Sequence, residues 1–205
     1  MSSLRNTRSG SGLDDTGPSG TGERPDDAVL DAARASILAV GWRRSTLTDV
    51  ARRAGVSRMT IYRRWPDMQT LTADLMTREW SGLVAVGEGT PLMRVARGVS
   101  AAVTALRGNA LFAKIVQVDP ELLLPYLLDR RGRTQDGLLA LLEATVAEGQ
   151  RDGSVRDGDP VLLARSVLLA AYGFALSAAT MTDDRLDTAA FDEQLRHLVE
   201  RYLRA

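Results

Sequence analysis

The chain has 205 residues, of which 44% are hydrophobic and 25% are charged, and its acidic and basic side chains balance to a net charge of zero. This composition is sufficient for a substantial core, and the absence of cysteine excludes disulfides, zinc–thiolate sites and thiol catalysis. The single histidine, His197, cannot build a histidine metal site by itself, so neither a metal nor a cofactor is expected.

Residues 1–25 are rich in Ser, Gly, Thr and Asp and contain no periodic apolar positions. Such a segment cannot bury enough surface to offset its chain entropy, which predicts a flexible N-terminal arm. The segment also lacks the apolar run of a signal peptide. The longest apolar run of the chain, from Val167 to Leu176, is shorter than a membrane span. These features predict a cytoplasmic protein that does not enter a membrane.

The first helix is predicted between Pro25 and Gly41, because Val29, Ile37 and Val40 recur at helical spacing. Glycine just after the last periodic residue is a common helix stop. This helix is expected to act as the scaffold for the segment that follows.

Two short helical patterns come next, separated by a tight turn. Thr46 and Ser57 are of the residue types that cap helix N-termini, and Asp49 lies three residues after Thr46, as in a capping box. Gly55 suits the left-handed conformation that closes a helix, and Pro66 cannot supply the N–H needed to continue the second one. Two helices joined in this way predict a helix-turn-helix.

The same stretch is strongly basic. From Arg43 to Arg64 the chain carries seven arginines and one acid, a local charge of +6 on a neutral protein. Such a local excess suits contact with phosphates, whereas the alternative is a solvated basic face on an ordinary helical hairpin. The two caps and the glycine turn at this spacing favour nucleic-acid binding.

With its flanks, this stretch resembles the N-terminal DNA-binding domain of TetR-family transcriptional regulators. The resemblance is carried by Val29-Leu30-Asp31-Ala32-Ala33, Gly41-Trp42, the run from Thr46 to Ser57, Ile61-Tyr62-Arg63-Arg64-Trp65-Pro66-Asp67, and Leu71. It implies a helix-turn-helix DNA-binding domain at residues 26–71 and a helical ligand-binding and dimerisation domain at residues 72–205. The chain departs from the family at Met68, where a lysine is common, and Arg64 is the candidate to replace that lysine's phosphate contact.

The resemblance places the DNA-binding residues around the turn. Backbone phosphates are expected at Thr46, Thr48 and Tyr62, which fix register without reporting base identity. Base edges in the major groove are expected to meet side chains of the second helix, since arginine can pair with guanine and a methyl-bearing side chain can touch thymine. The full predicted set is Thr46, Thr48, Ser57, Arg58, Met59, Thr60, Tyr62, Arg63 and Arg64.

Beyond the turn the pattern stays helical. Asp67 is expected to cap a fourth helix that carries Leu71, Leu75, Trp80 and Leu83. After a break at 87–91, further helical patterns cover residues 92–107, 110–117, 120–130 (with a kink at Pro125), 134–149, 160–180 and 188–204. Because no segment of any length has the two-residue period of a strand, the fold class is predicted to be all-α.

A homodimer is expected through the helices at about 160–180 and 188–204, because a single helix-turn-helix contacts few base pairs and these helices have an apolar excess. The alternative is that both helices complete a monomer core. The family resemblance also implies a ligand cavity between the middle helices, although packing in an ordinary core explains the same residues. Its candidate lining residues are Trp80, Phe112, Tyr126, Tyr172 and Phe174.

The sequence therefore predicts a DNA-binding transcriptional regulator, a repressor that leaves a palindromic double-stranded DNA operator when a small-molecule effector binds. The alternative is a helical protein-interaction module whose helix-turn-helix no longer binds DNA. An enzyme is not expected, since one histidine and no cysteine leave no nucleophile–base pair, and no phosphate-binding glycine loop is present.

Overall fold

The computed structural model describes residues 25–83 and 87–205, and within these ranges the secondary structure is helical, apart from one isolated bridge between Val155 and Arg204. The predicted arm, residues 1–25, lies outside the described residues except for Pro25. The helices are α1 (Pro25–Val40), α2 (Leu47–Ala54), α3 (Arg58–Arg64), α4 (Met68–Ser81), α5 (Pro91–Gly108), α6 (Ala110–Val118), α7 (Arg133–Asp152), α8 (Pro160–Ser177) and α9 (Thr188–Leu203). The all-α prediction is confirmed.

Three stretches differ from the sequence prediction. Helix α4 ends at Ser81, so Leu83 lies beyond it. The segment at 120–130 is not a kinked α-helix but a 3₁₀ turn, Pro120–Leu122, followed by a π-helical turn, Pro125–Asp129. Proline at the first position of each turn is tolerated there because its missing N–H has no helical partner to lose. A third short turn, Ala178–Met181, follows α8.

One hydrophobic core joins the N-terminal helices to α6. Its buried side chains include Val50 of α2, Ile61 of α3 and Leu71 of α4, and it continues into Leu111 and Ile115 of α6. All five are fully shielded from solvent. The helix-turn-helix therefore rests on residues from both halves of the chain.

The second core is formed by α5, α7, α8 and α9. It includes Val103, Val146, Val167 and Leu195, one from each helix. Gly149 of α7 lies where a Cβ atom would be 2.4 Å from a methyl of Val155, so this helix passes the following loop at a distance that only glycine allows.

Helix α8 and the turn after it are unusually apolar. Together they form a 22-residue stretch, Pro160–Met181, with a mean hydropathy of 1.7. By length and composition alone, this stretch could cross a membrane. The run counted in the sequence, Val167 to Leu176, underestimated this length because the flanking residues are also apolar. A core helix satisfies the same criteria, and α8 packs against α5, α7 and α9. Even so, only 33% of its most apolar window is buried within one chain.

Candidate nucleic-acid interface and ligand cavity

The turn between α2 and α3 is shaped by the residues that the sequence indicated. The Oγ1 atom of Thr46 accepts the backbone N–H of Asp49 at 3.1 Å, and the Oγ atom of Ser57 accepts that of Thr60 at 3.1 Å. Gly55 adopts φ 69°, in the left-handed region, and Val56 N then donates to Ala51 O at 3.0 Å. Both caps and the glycine closure are confirmed as predicted.

Helix α3 shows a sharp division between its two sides. Ile61 is completely buried, while Met59 is 81% exposed and Tyr62 is 49% exposed. The remaining residues of the predicted base-reading and phosphate-binding set on this helix are also exposed: Arg58, Thr60, Arg63 and Arg64. Every side chain of α3 that was predicted to contact DNA is thus open to solvent, and we refer to α3 as the recognition helix.

Several of the predicted contact groups already have partners within the chain. The hydroxyl of Thr46 donates to the carboxylate of Asp49 at 2.7 Å, and this bond lowers the pKa of the Asp49 carboxyl, with Arg52 adding to the effect. The hydroxyls of Ser57 and Thr60 lie 2.9 Å apart and bond to each other. These bonds hold the caps rigid and leave fewer hydroxyl protons for another acceptor.

Most of the other predicted contact groups have no partner among the described residues. Among the residues that the structure describes, the side chains of Thr48, Arg58, Tyr62 and Arg63 form no hydrogen bond or ion pair. Arg64 differs, because its Nε lies 3.3 Å from the carboxylate of Asp26 and its guanidinium stacks 5.4 Å from the ring of Trp65.

Met68, at the start of α4, is only partly exposed and packs against the N-terminal core. A lysine at this position would have to extend away from that core, so the methionine exchanges a charged surface group for apolar packing. The preceding Asp67 caps α4 by accepting Thr70 N at 2.7 Å, as predicted.

Two buried or partly buried carboxylates attach the helix-turn-helix to the rest of the molecule. Asp119, only 2% exposed at the end of α6, accepts the backbone N–H of Trp42 at 2.7 Å. Asp74 of α4 accepts the indole N–H of Trp65 at 2.9 Å. Trp65 itself is 2% exposed and lies directly after the recognition helix. The sequence analysis did not single out either carboxylate, since the partners are distant or in another helix.

A cavity of about 240 Å³ lies between α4, α5, α6, α7 and α8. Trp80 and Phe112 meet there edge to face, with ring centroids 5.9 Å apart. Tyr126 and Tyr172 complete the aromatic part of the lining, and burial raises the pKa of the Tyr172 phenol, which keeps it protonated.

Phe174 is the exception among the predicted lining residues. It packs in the second core with α5 and α9 and does not line the cavity. The physical reason is helical geometry: residues two apart on a helix point in nearly opposite directions, so Tyr172 and Phe174 of α8 cannot share a side.

The sequence analysis also missed much of the lining. Aliphatic residues of α5 and α7 also form part of the wall, among them Val99, Leu138 and Leu142. Two arginines, Arg94 and Arg133, reach the cavity as well, paired with Glu148 and Asp74 respectively. The sequence feature that could have indicated Arg133 is the basic run Arg130-Arg131-Gly132-Arg133 at the start of a helix.

The outward faces of α8 and α9 expose large apolar side chains. Leu162 is 62% exposed, Leu169 is 68% exposed and Leu198 is 47% exposed. Gly173 lies on the same exposed side of α8, and a Cβ atom there would meet nothing within 4 Å. Leucine exposed to this degree at helical spacing is unusual for a monomer surface.

Comparison with known proteins supports the interpretation of this geometry. The family model of bacterial regulatory proteins of the tetR family matches residues 29–75. An uncharacterized HTH-type transcriptional regulator of Mycobacterium bovis is 37% identical over 180 residues, covering 85% of this chain and 92% of the relative. A fatty acid metabolism regulator protein of Bacillus subtilis is 22% identical over 83% of this chain and 91% of its own length.

Solved structures share the fold. The transcriptional regulator FadR from Bacillus subtilis, in complex with stearoyl-CoA, superposes with a TM-score of 0.63 at 20% identity, over 86% of this chain and 98% of that one. The fatty acid degradation regulator FadR from Bacillus halodurans gives a TM-score of 0.63 at 19% identity, over 87% and 95%. All of these relatives are described as regulators, which favours DNA binding over the protein-interaction alternative. The chain belongs to the TetR family of bacterial transcriptional regulators, and it is a DNA-binding regulator rather than an enzyme.

Proposed function

We propose that the protein is a repressor which binds a palindromic operator as a homodimer and is released when a small molecule enters the cavity. The observation that carries this proposal is the continuity of the N-terminal core with the cavity wall. Phe112 belongs to the core under the recognition helix and also lines the cavity. A ligand that changes the packing of Phe112 thus acts directly on the support of the DNA-binding face, and it can shift the equilibrium if it binds the released state more tightly.

On DNA, Arg58 and Arg63 are proposed to contact base edges, because their guanidinium groups are exposed and unpaired within the described chain. Thr48 and Tyr62 are proposed to bind phosphates through free hydroxyls. Met59, the most exposed apolar side chain of the recognition helix, is proposed to touch a thymine methyl or another apolar base edge.

Thr46, Ser57 and Thr60 are proposed to act mainly by holding the caps, since their hydroxyls are already bonded within the chain. Arg64 is proposed to reach a phosphate only by leaving Asp26. That exchange favours DNA, because a duplex concentrates negative charge far above that of one exposed aspartate.

The dimer is proposed to form by pairing of α8 and α9 with the same helices of a second copy. Leu162, Leu169 and Leu198 supply the exposed apolar surface, and Gly173 allows close approach of the two α8 helices. A two-fold interface uses the same patch on both copies, which also matches the symmetry of a palindromic site. We place this dimer in the cytoplasm.

The effector is proposed to carry a long apolar chain. The cavity walls are mainly aliphatic and aromatic, and the Bacillus subtilis relative of this fold was solved with stearoyl-CoA. Tyr126 and Tyr172 are among the polar residues of the lining, and their hydroxyls would help to orient such a chain.

The test begins with selection of bound sequences from a random DNA library, followed by titration of the selected duplex at several salt concentrations. The proposal expects a palindromic sequence, a steep salt dependence and loss of binding when stearoyl-CoA is added. Non-palindromic enrichment would contradict the dimer, and undiminished binding at saturating stearoyl-CoA would contradict the acyl-chain effector. A protein with Leu162→Glu and Leu169→Glu should lose both the dimer and the operator, while Leu128→Glu, a 75% exposed leucine away from α8, should lose neither.

A further inference from the structure

The carboxylate of Asp74 binds two partners, one through each oxygen atom. Its Oδ2 atom accepts the indole N–H of Trp65 at 2.9 Å, and its Oδ1 atom pairs with the guanidinium of Arg133. The side chain of Asp74 is 18% exposed, so its charge is largely shielded from water and depends on these two donors. One carboxylate of α4 thus joins the end of the recognition helix to the start of α7.

The Trp65 side of this bridge bears on the DNA-binding face. The backbone N–H of Trp65 closes the recognition helix by donating to Ile61 O at 2.8 Å, and its ring is buried in the N-terminal core. The position of the indole therefore fixes where the last turn of the helix lies, including the neighbouring Arg63 and Arg64.

The Arg133 side of the bridge lies at the cavity. Arg133 lines the cavity and its side chain is 67% exposed, which places the guanidinium at the opening to solvent. Arg130 and Arg131 precede it, and Arg130 stacks 5.5 Å from the ring of the lining residue Tyr126. The cavity thus combines apolar walls with guanidinium groups at its edge, of which Arg133 is already paired with a carboxylate. That distribution suits a molecule with an apolar chain and an anionic head group.

We propose that Arg133 captures the anionic head of the effector and in doing so leaves Asp74, so that the anchor of Trp65 changes when the cavity is filled. This inference rests on the proposed function, because it names the ligand class and the coupling of the same cavity. Leaving costs free energy, because the shielded Asp74 carboxylate loses one of its two donors, and the bond between Arg133 and the anionic head must offset that cost. Once Arg133 has left, the Asp74 carboxylate must find water or draw more strongly on the Trp65 indole, and either adjustment reaches the recognition helix.

Two sources of the anionic head share this chemistry, a free carboxylate and the phosphates of a coenzyme A thioester. Dodecanoate, dodecanoyl-CoA and the neutral dodecanol separate them, because all three present the same chain. Binding to the full-length protein is measured by calorimetry, and coupling is measured as the ratio of operator Kd with and without saturating probe.

The decisive variants are Arg133→Gln and the matched control Arg131→Gln. Both remove one positive charge from the same cluster, but Arg131 pairs with Asp136 rather than Asp74. We expect an anionic probe to weaken operator binding about tenfold in the wild type and in Arg131→Gln, within the usual range of allosteric coupling. In Arg133→Gln that ratio should fall below about twofold, because the variant lacks the pair with Asp74 whether or not a probe is bound, and its operator affinity without probe should already be lowered. Equal coupling in the two variants would overturn the proposal.

A second measurement needs no DNA and so separates this inference from the proposed function. The chain has three tryptophans, and their indole N–H groups give three nuclear magnetic resonance signals that Trp42→Phe and Trp80→Phe assign. The Trp65 signal should shift in Arg133→Gln, and in the wild type it should shift with dodecanoate or dodecanoyl-CoA but not with dodecanol. An unmoved Trp65 signal, or a failure of both anionic probes to bind, would overturn the inference even if the operator is found. A missing operator with a shifting Trp65 signal would instead count against the proposed function.

Discussion

The recognition helix and the ligand cavity are assembled in opposite ways. The helix-turn-helix comes from one continuous stretch, and each of its helix ends is set by a residue within three positions, as with Ser57 and Thr60. The cavity draws on α4, α5, α6, α7 and α8, so residues as far apart in the chain as Ala73 and Leu176 share its wall. Local contacts therefore set the ends of the two short helices, while the cavity depends on how whole helices pack.

The largest expected effect tests where the local stretch depends on the wider core. Ile61→Ala removes a completely buried side chain from the recognition helix and should lower the free energy of unfolding by about 2–5 kcal/mol. Met59→Ala, on the same helix but 81% exposed, should leave stability nearly unchanged. Urea denaturation of both variants measures the difference. Similar losses in the two would mean that the helix is stabilised by its own sequence rather than by the core.

The second prediction concerns the packing of the other half. Gly149→Ala places a methyl 2.4 Å from a Val155 methyl and 3.1 Å from Pro91, and it should destabilise the protein by about 1–3 kcal/mol. Gly137→Ala, in the same helix with open space around it, should instead stabilise by up to about 1 kcal/mol. Thermal unfolding of the pair gives the sign of each change. A stabilising Gly149→Ala would show that α7 and the loop after it are not held as closely as described.

The third prediction distinguishes sequence-specific binding by the recognition helix from general electrostatic attraction to DNA. Arg58→Ala should cost about 1–3 kcal/mol of binding free energy on the selected operator and much less on random DNA, because the proposed base contact is lost. Arg97→Ala removes an exposed arginine of α5 and should change neither affinity. Fluorescence anisotropy with both duplexes measures the preference. An equal loss on operator and random DNA would reassign Arg58 to a phosphate contact.

The smallest effect is a pH dependence at the cap of α4. The Thr70 N–H bond lowers the pKa of the Asp67 carboxyl below its ordinary 3.8, so the ionised cap stabilises the folded state above that value. This stabilisation is lost as the pH falls through the lowered folded pKa. Asp67→Asn keeps a capping oxygen without titrating, so the stability gap between wild type and variant should narrow towards pH 3. Urea denaturation of both proteins between pH 3 and pH 6 measures this difference in stability. A difference that stays constant over that range would contradict the prediction.

The same contrast explains which features could be predicted from the sequence. Thr46, Gly55 and Ser57 act on neighbours within a few positions, so the helix-turn-helix and its exposed face could be predicted residue by residue. Helix positions in the second half could also be predicted, because periodicity is a local property. The partial exposure of Met68 could not be predicted, because it depends on the core against which Met68 packs.

The residues that line the cavity could be predicted only in part. The sequence analysis assigns Phe174 to the lining because it is aromatic, although it points to a different side of α8 from Tyr172. Arg133 was not assigned because its meaning depends on Asp74, fifty-nine positions away in the chain. Such pairs become visible only when the packing of α4 against α7 is known.

The Asp119–Trp42 hydrogen bond has a consequence for regulator engineering. Exchange of DNA-binding domains between family members is most simply made at the break after α4, near residue 87. A graft of residues 25–83 onto a foreign core would leave Trp42 N–H without its buried acceptor, because Asp119 lies on the other side of the junction. A chimera therefore needs an acceptor transplanted to the end of the new core's α6, so that the Trp42 N–H keeps a hydrogen-bond partner.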